Sequence, residues 1–400
     1  VRIILNKYFK GDIAIWVISL VLLSFSLLTV YSFVPILVKI EGGTPIRYLG
    51  KHILYVGIAI ATMLWVHKKD PVWFSKLARF GFVLAIFLLI FTFFFGTRVN
   101  DAGRWIRIPF VGLTFQSSDF AKLALVVYVS KLLAKKKDLL HSWKEGFLPV
   151  FFPILIIAGL IFKDNLSTAL IVFMLGLTLL FVGRVPWSKL LSIFVGGLIA
   201  GSLVVALHLS VPSLNLLPRF ETWQNRLLNR MDDNKDIVVN AQALNAELAI
   251  YNGGPFGQGV GDGKLKEYIP EAYADFYYAT FVEEFGLLFA ILLVLTYLIL
   301  LHRIIRIALK SEKIFETYML IGIGILILSQ ALVNMLVCTG ILPVTGQNMP
   351  LLAMGGSGLI MTCLALGIVQ SVAYSQNKKK EKVEKENDDL KSENILINED

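Results

Sequence analysis

Cysteine and charge are both scarce in this 400-residue chain. Its two cysteines, Cys338 and Cys363, lie in apolar stretches, so no disulfide framework is implied. Only 17% of the residues are charged while 56% are hydrophobic, and the mean hydropathy is +0.70. A soluble domain has about 25% charged and about 45–50% apolar residues, so an ordinary soluble protein is excluded. No Cys/His cluster has metal-ligand spacing, and no GxSxG nucleophile elbow is present. The stretch Gly261–Lys264 faintly resembles a phosphate loop. It lacks the first glycine at the required offset, and Leu265 stands where a Ser or Thr would hold magnesium, which argues against ATP-driven transport. Acidic residues number 29 against 38 basic ones. The excess bases sit in short loops between apolar runs, a membrane pattern rather than a nucleic-acid one.

What the sequence does hold is apolar runs near the length of a bilayer crossing, about 20 residues. Ten are readable: Ile13–Pro35, Leu49–Val66, Ala78–Phe95, Phe120–Leu133, Leu148–Phe162, Leu166–Val182, Leu190–Leu209, Phe276–Leu301, Thr317–Cys338 and Leu351–Ala373. The fourth is short and carries charge. The first is too long for a signal-peptide core and no small-residue cleavage site follows it, so it reads as an anchor. The expectation is an all-α polytopic membrane protein of about ten transmembrane helices. Residues 1–375 form the membrane domain, with a large extracytoplasmic loop at 210–275 between helices 7 and 8. Residues 376–400 are almost entirely polar and read as a disordered cytoplasmic tail. If the helices alternate, Lys7, Lys10, Lys68, Lys69, Lys76, Arg79, Lys135, Lys136, Lys137, Arg184, Lys189, Arg303, Arg306, Lys310, Lys313, Lys378, Lys379 and Lys380 all fall on one side. That side is expected to be the cytoplasm, with both termini inside.

Outer loops hold Arg98, Arg104, Arg107, Arg219, Arg226 and Arg230 against this bias. Either a phosphate-bearing ligand or local carboxylates account for them. Four segments carry the remaining polarity. In the first, Asp101–Phe110 precedes Thr114–Lys122. Ser117, Ser118 and Asp119 read as an N-cap cluster, and Asp119 and Lys122, three apart, can pair on one helical face. Ionisable groups at a membrane helix mouth are costly and tend to be functional, though a structural capped pair explains them as well. The second, Lys163–Ala169, reads as a turn in which Asp164 or Asn165 caps the next helix. The third spans Gln242–Asp275, with a glycine-rich loop at Asn252–Gly263. It places Asp275 where the chain returns to the eighth helix, and the helix dipole favours its anion there. The fourth, Asn334–Gly358, is uncharged and rich in Gly and Pro. It reads as a re-entrant or tightly packed loop, tolerated only if buried in protein or lining a cavity.

In this order these segments closely resemble the SEDS family (shape, elongation, division and sporulation) of FtsW and RodA proteins. The resemblance rests on GRWI at Gly103–Ile106, FQSSDFAK at Phe115–Lys122, GGPFGQG at Gly253–Gly259, IPEAYADF ending at Phe276, VEEFG at Val282–Gly286, and LPVTG followed by MPLLAMGGSG. It spans the first helix to the tenth. There are departures. The family's QPSE is Gln116-Ser-Ser-Asp119 here, and its PDLGTA is Asp164–Ala169. The histidine of its PExHxDF stretch is Tyr273. The tyrosine of its YGGSS is Met354, and the last serine is Gly358.

The resemblance implies a peptidoglycan glycosyltransferase that polymerises lipid II at the outer face of the bacterial cytoplasmic membrane, for division or elongation, with the pattern leaning to FtsW. The alternative is a lipid II flippase, although no internal repeat of the kind transporters use is evident. Asp275 takes the place of the essential acid and is the expected base for the acceptor hydroxyl. Arg104, Trp105, Gln116, Asp119 and Lys122 match cavity-lining positions, and Lys51 matches a basic position on the second helix. Glu267 falls in a segment linked to activation control. Arg104, Lys122 and Arg226 are expected to neutralise the departing pyrophosphate. A divalent cation, Mg or Mn, is compatible with this chemistry, and no organic cofactor is implied. The expected partners are lipid II, polyprenyl-pyrophosphate-linked glycan, the membrane and a class B penicillin-binding protein, with no nucleic acid.

Overall fold

The computed structural model describes residues 9–99, 102–107, 113–163, 165–211 and 237–397. Among these residues eleven α-helices and one three-stranded sheet follow in the order α1 (Ile13–Glu41), α2 (Pro45–Val66), α3 (Pro71–Phe95), β1 (Thr97–Val99), β2 (Ala102–Arg107), β3 (Thr114–Gln116), α4 (Ser117–Lys136), α5 (Leu148–Phe162), α6 (Leu166–Val182), α7 (Trp187–Ser210), α8 (Ile237–Gly253), α9 (Tyr277–Leu309), α10 (Ile314–Cys338) and α11 (Gly356–Ile397). Ten of the helices correspond to the ten apolar runs. Among the described residues eight spans are both long and apolar enough to cross a bilayer, α5 only together with the helical turn that leads into it, as Trp143–Phe162. Helix α6 is apolar but only 17 residues long, and α4 carries Asp119, Lys122 and Lys131 among its apolar residues. The eleventh, α8, lies inside the long loop.

The helix starts follow local chemistry. The Asp12 carboxylate accepts from the Ile15 amide and Asp70 from Val72, each an acid at the positive end of a helix. Pro45 and Pro71 sit in first turns, where a missing N–H costs nothing. The Asn165 side chain accepts from the Thr168 amide, which makes it the cap of α6; Asp164 lies outside the described residues. One expectation fails. Ser117, Ser118 and Asp119 do not cap α4: the N-cap is Gln116, and the three residues already lie in the first turn. They are engaged sideways instead. Ser117 shares a hydrogen with Thr92 at 2.8 Å, and Asp119 pairs with Lys122. Helix α11 also departs from expectation by continuing through Ile397, over residues whose polarity suggests a disordered tail. That stretch is rich in Lys and Glu, strong helix formers that can pair at i, i+4.

The chain alternates direction through the bundle, so loop segments collect at two ends. At one end the start of α1 meets the ends of α2 and α9 and the middle of α11. Arg303 pairs with Asp12, Lys10 donates to the Tyr374 hydroxyl, and Ser371 donates to the Lys69 carbonyl. Lys131 and Lys189 are tethered there too, Lys131 to the Ser75 carbonyl and Lys189 to those of Leu140 and His141. The basic loop clusters therefore share one end. Helix α7 stands aside from the bundle, with Lys189 at its foot its only buried residue.

At the other end lie the sheet, the segment 254–276 and the segment 339–355. The sheet is antiparallel in the order β1-β2-β3, with Trp105 paired to both Thr97 and Gln116. Its short strands are built from Thr, Val, Trp, Ile and Phe, residues that fit a pleated surface.

The glycine-rich segment has a structural task. Helix α9 breaks at Gly286, whose φ of 82° is open chiefly to glycine. The break frees the carbonyls of Glu283 and Glu284 and the amides of Leu287 and Leu288, which would otherwise bond to each other. The loop after α8 supplies all four partners: Gln258 and Gly259 amides reach the carbonyls, and the Gly254 and Pro255 carbonyls receive the amides. A Cβ on Gly257 would stand 2.2 Å from the Glu284 carbonyl oxygen, so only glycine permits this approach. Broken helices are tolerated at membrane depth when neighbouring groups satisfy the freed backbone. Beside the break, Lys266 is buried against Glu284 at 2.6 Å, and it also donates to Ser32 and to the Gly261 carbonyl.

Candidate active site

Asp275 is the second residue before α9 and is half-buried. It closes a tight turn: the amides of Ala274 and Asp275 both donate to the Glu271 carbonyl, and Glu271 itself has a φ of 54°. A buried asparagine holds this turn. Asn334 of α10, 0% exposed, donates to the carbonyls of Asp275 (2.9 Å) and Gln347 (2.8 Å), and its own oxygen accepts from the Tyr278 amide. The Met354 amide bonds to the Tyr273 carbonyl, and the Gln347 side chain donates to Thr168 of α6. One asparagine thus ties the turn carrying Asp275 to the uncharged segment 339–355. That segment is packed as expected, with Met349, Leu351, Leu352 and Ala353 buried.

Asp275 lines a cavity of about 660 Å³ at this end of the bundle. The same cavity is lined by Lys51 and Tyr55 of α2, Trp105 and Arg107 of β2, and Gln116 of β3. Tyr55 fixes the sheet to the helices, since its hydroxyl accepts from the Thr114 amide at 2.8 Å. Gly356 admits the Tyr55 ring: a Cβ there would stand 2.0 Å from it. The cavity wall therefore combines a carboxylate, two cations, an amide and an indole. Glu271 adds a second carboxylate to the lining.

The remaining expected residues are distributed differently. Asp119 and Lys122 line a smaller adjoining cavity that shares Gln116, Gly346 and Asn348 with the large one. There Lys122 pairs with Asp119 at 2.9 Å, and Asp119 also accepts from Ser357 at 3.0 Å. The lysine is almost fully buried, so this pair joins α4 to the start of α11. Glu267 lies apart from both cavities, in an exposed contact with Lys39 at 3.8 Å. Arg104 belongs to β2, but its side chain is outside those described. Arg226 lies outside the described residues. Tyr55 and Asn334 carry no sequence signal that marks them as individual site residues. Arg107 had a signal, as an arginine against the charge bias of the outer loops.

A profile of the cell cycle protein family FtsW/RodA/SpoVE matches residues 12–378. The chain belongs to the FtsW/RodA/SpoVE family. It is 30% identical over 379 residues to a protein of Trichlorobacter lovleyi named a probable peptidoglycan glycosyltransferase FtsW, covering 92% of this chain and 96% of the relative. A Coxiella burnetii protein of the same name is 31% identical over 375 residues, covering 90% and 95%. Stage V sporulation protein E of Bacillus subtilis is 29% identical over 93% of this chain and 99% of its own length. Among solved structures, the rod shape determining protein RodA of Thermus thermophilus superposes with a TM-score of 0.65 at 22% identity, over 92% of this chain and 99% of that one. A chain of a peptidoglycan synthase complex, studied for how it coordinates polymerization and crosslinking, superposes with a TM-score of 0.70 at 23% identity, over 92% and 98%. These matches give this FtsW/RodA/SpoVE chain the family's polytopic helical fold. Its cavity, turn and broken helix lie within the matched range.

Proposed function

We infer that this chain is a peptidoglycan glycosyltransferase that polymerises lipid II at the outer face of the bacterial cytoplasmic membrane. The observation that carries the reading is Asp275 facing the same cavity as Lys51 and Arg107. The curated relatives named probable peptidoglycan glycosyltransferase agree with it. The basic end of the bundle is taken as cytoplasmic by the charge bias of the loops, which puts the termini inside and the cavity outside.

The reaction joins the 4-hydroxyl of an acceptor GlcNAc to the anomeric carbon of a donor whose leaving group is a polyprenyl pyrophosphate. Asp275 removes the hydroxyl proton as the oxygen attacks. Lys51 and Arg107 offset the charge that develops on the pyrophosphate, with Arg104 and Arg226 contributing from the same outer segments. Attack from the face opposite the leaving group inverts an α-linked donor to a β-linked strand. Trp105 and Gln116 supply a flat apolar face and an amide to orient sugar rings. No group of three or more metal-ligating side chains occurs among the described residues. Two carboxylates, Asp275 and Glu271, do line the cavity, which suits a magnesium-type ion shared with substrate phosphates. Such an ion would supply charge neutralisation at the pyrophosphate.

The partner in this reading is a class B penicillin-binding protein docked on the outer faces of α9 and α10, which would crosslink the strands. The FtsW names of the relatives favour a role in division. Purified lipid II and purified protein in detergent, with and without a candidate transpeptidase, test the assignment. Glycan polymer formed without any second compartment marks an enzyme and excludes a purely flipping role. Absence of polymer in the presence of a functional partner overturns the proposal.

A further inference from the structure

At the end of the bundle opposite Asp275, a second cavity of about 210 Å³ lies where α1 begins and α9 and α11 run out. Its lining includes Arg303, Arg306 and Lys310 from α9 and its C-cap, and Lys380 from α11. Asp12 is the single acid in this lining. Arg303 already holds Asp12 through Nε at 3.3 Å and Nη2 at 2.5 Å, and the carboxylate also caps α1. Among the described residues no carboxylate lies within ion-pair distance of Arg306, Lys310 or Lys380. Of the other acids at this end, Glu312 pairs with Lys379 at 2.5 Å and Glu316 with Lys313 at 3.5 Å, while Glu381, next to Lys380, acts on Lys10 and does not line the cavity. Three cations without an ion-pair partner among the described residues therefore surround a concave space whose one acid is already held by a fourth.

The depth of this space limits what fills it. Ile13, adjacent to Asp12, and Leu309, adjacent to Lys310, are 51% and 74% exposed. Apolar side chains so exposed at the ends of membrane helices suit contact with acyl chains, which would put the neighbouring cations at headgroup level. Basic pockets between transmembrane helices on the cytoplasmic side match anionic headgroups in charge and depth.

We propose that the cavity bounded by Arg303, Arg306, Lys310 and Lys380 binds the phosphate of an anionic phospholipid of the inner leaflet. The shared chemistry is a phosphate oxyanion, and the lipid source is favoured by the exposed apolar flank. The site is separate from the Asp275 cavity, and its test does not read polymerisation.

Native mass spectrometry of the full chain, stripped in detergent and titrated with phosphatidylglycerol, phosphatidylcholine or inorganic phosphate, examines this directly. The expected result is selective retention of phosphatidylglycerol. The triple variant Arg306→Gln/Lys310→Gln/Lys380→Gln should weaken it by about fivefold for each charge removed. Lys135→Gln/Lys137→Gln/Lys144→Gln, at the same end but away from the cavity, should leave binding unchanged. The swaps Arg306→Lys/Lys310→Arg should retain it, which separates loss of charge from loss of fold. Equal binding of phosphatidylglycerol and phosphatidylcholine overturns the proposal, as does binding equally sensitive to both triple variants. Inorganic phosphate that competes at the lipid's own affinity overturns the lipid assignment.

Discussion

At the level of single residues, the chemistry proposed for this chain depends on Asp275 and on what holds it. General-base assistance is worth about 10²–10⁴-fold, so Asp275→Asn is expected to lower polymerisation by that order while leaving the fold intact. Asn334 makes a contrasting prediction. It is buried and bonds to backbone groups of three segments. Asn334→Ala leaves those groups unpaired, at about 1–3 kcal/mol each. A lower melting temperature in detergent, together with reduced activity, is the expected pair of outcomes; unchanged stability would show that the turn is held elsewhere. His67 offers a test by pH. It follows α2 at the basic end, fully buried edge-on against Trp16. Burial holds its pKa below the ordinary 6.5; the Leu64 and Met63 carbonyls oppose it, and the charges of Lys68 and Lys10 add to it. The folded state then binds fewer protons than the unfolded state as pH falls below 6.5, so stability should drop there. Melting temperatures between pH 7.5 and 5.5 should fall less steeply for His67→Gln. Asp275 was legible in the sequence from its place at a helix entrance and from the resemblance. Asn334 opened a recognised segment but gave no sign of its role, because its partners are backbone atoms far apart in sequence.

The element that organises the site is the broken helix α9 with the loop threaded into its break. Gly257→Ala puts a Cβ 2.2 Å from the Glu284 carbonyl oxygen and should prevent the four exchanged hydrogen bonds from forming. The Lys266–Glu284 pair sits at the same junction, both side chains almost fully buried. Removing one partner of a buried pair costs about 3–5 kcal/mol because the other is left uncompensated. Lys266→Met is therefore expected to destabilise the protein strongly, and Lys266→Met/Glu284→Leu to recover much of the loss, as thermal unfolding in detergent would show. Equal loss in the single and double variants contradicts a paired role. The ten membrane helices were readable because an apolar run of bilayer length has few other uses. Their ends were less so: α1 runs to Glu41 past Pro35, and Leu351–Gly355 is turn rather than helix, bounded by Pro350 and a left-handed Leu351. The three-stranded sheet and α8 left weak traces. Strands of three to six residues carry too little periodicity to stand out, and the α8 stretch sits in a loop whose glycines and aromatics dominate its composition.

On the scale of the whole molecule, two ends of the bundle do different work. One gathers the basic loops and the proposed lipid site, and the other gathers the Asp275 cavity. This division predicts a topology. Both native cysteines are fully buried, which gives a low background for labelling. In intact spheroplasts, Tyr251→Cys, exposed on α8, should react with a membrane-impermeant maleimide, and Lys144→Cys should react only after permeabilisation. The reverse pattern would place the cavity inside the cell. Whether the Asp275 carboxylate is the base is read from the rate of glycan strand formation from purified lipid II by matched preparations of the wild-type and Asp275→Asn proteins in the same detergent. A general base at Asp275 predicts a loss of about 10²–10⁴-fold with lipid II binding preserved. Strand formation by Asp275→Asn at the wild-type rate would contradict it.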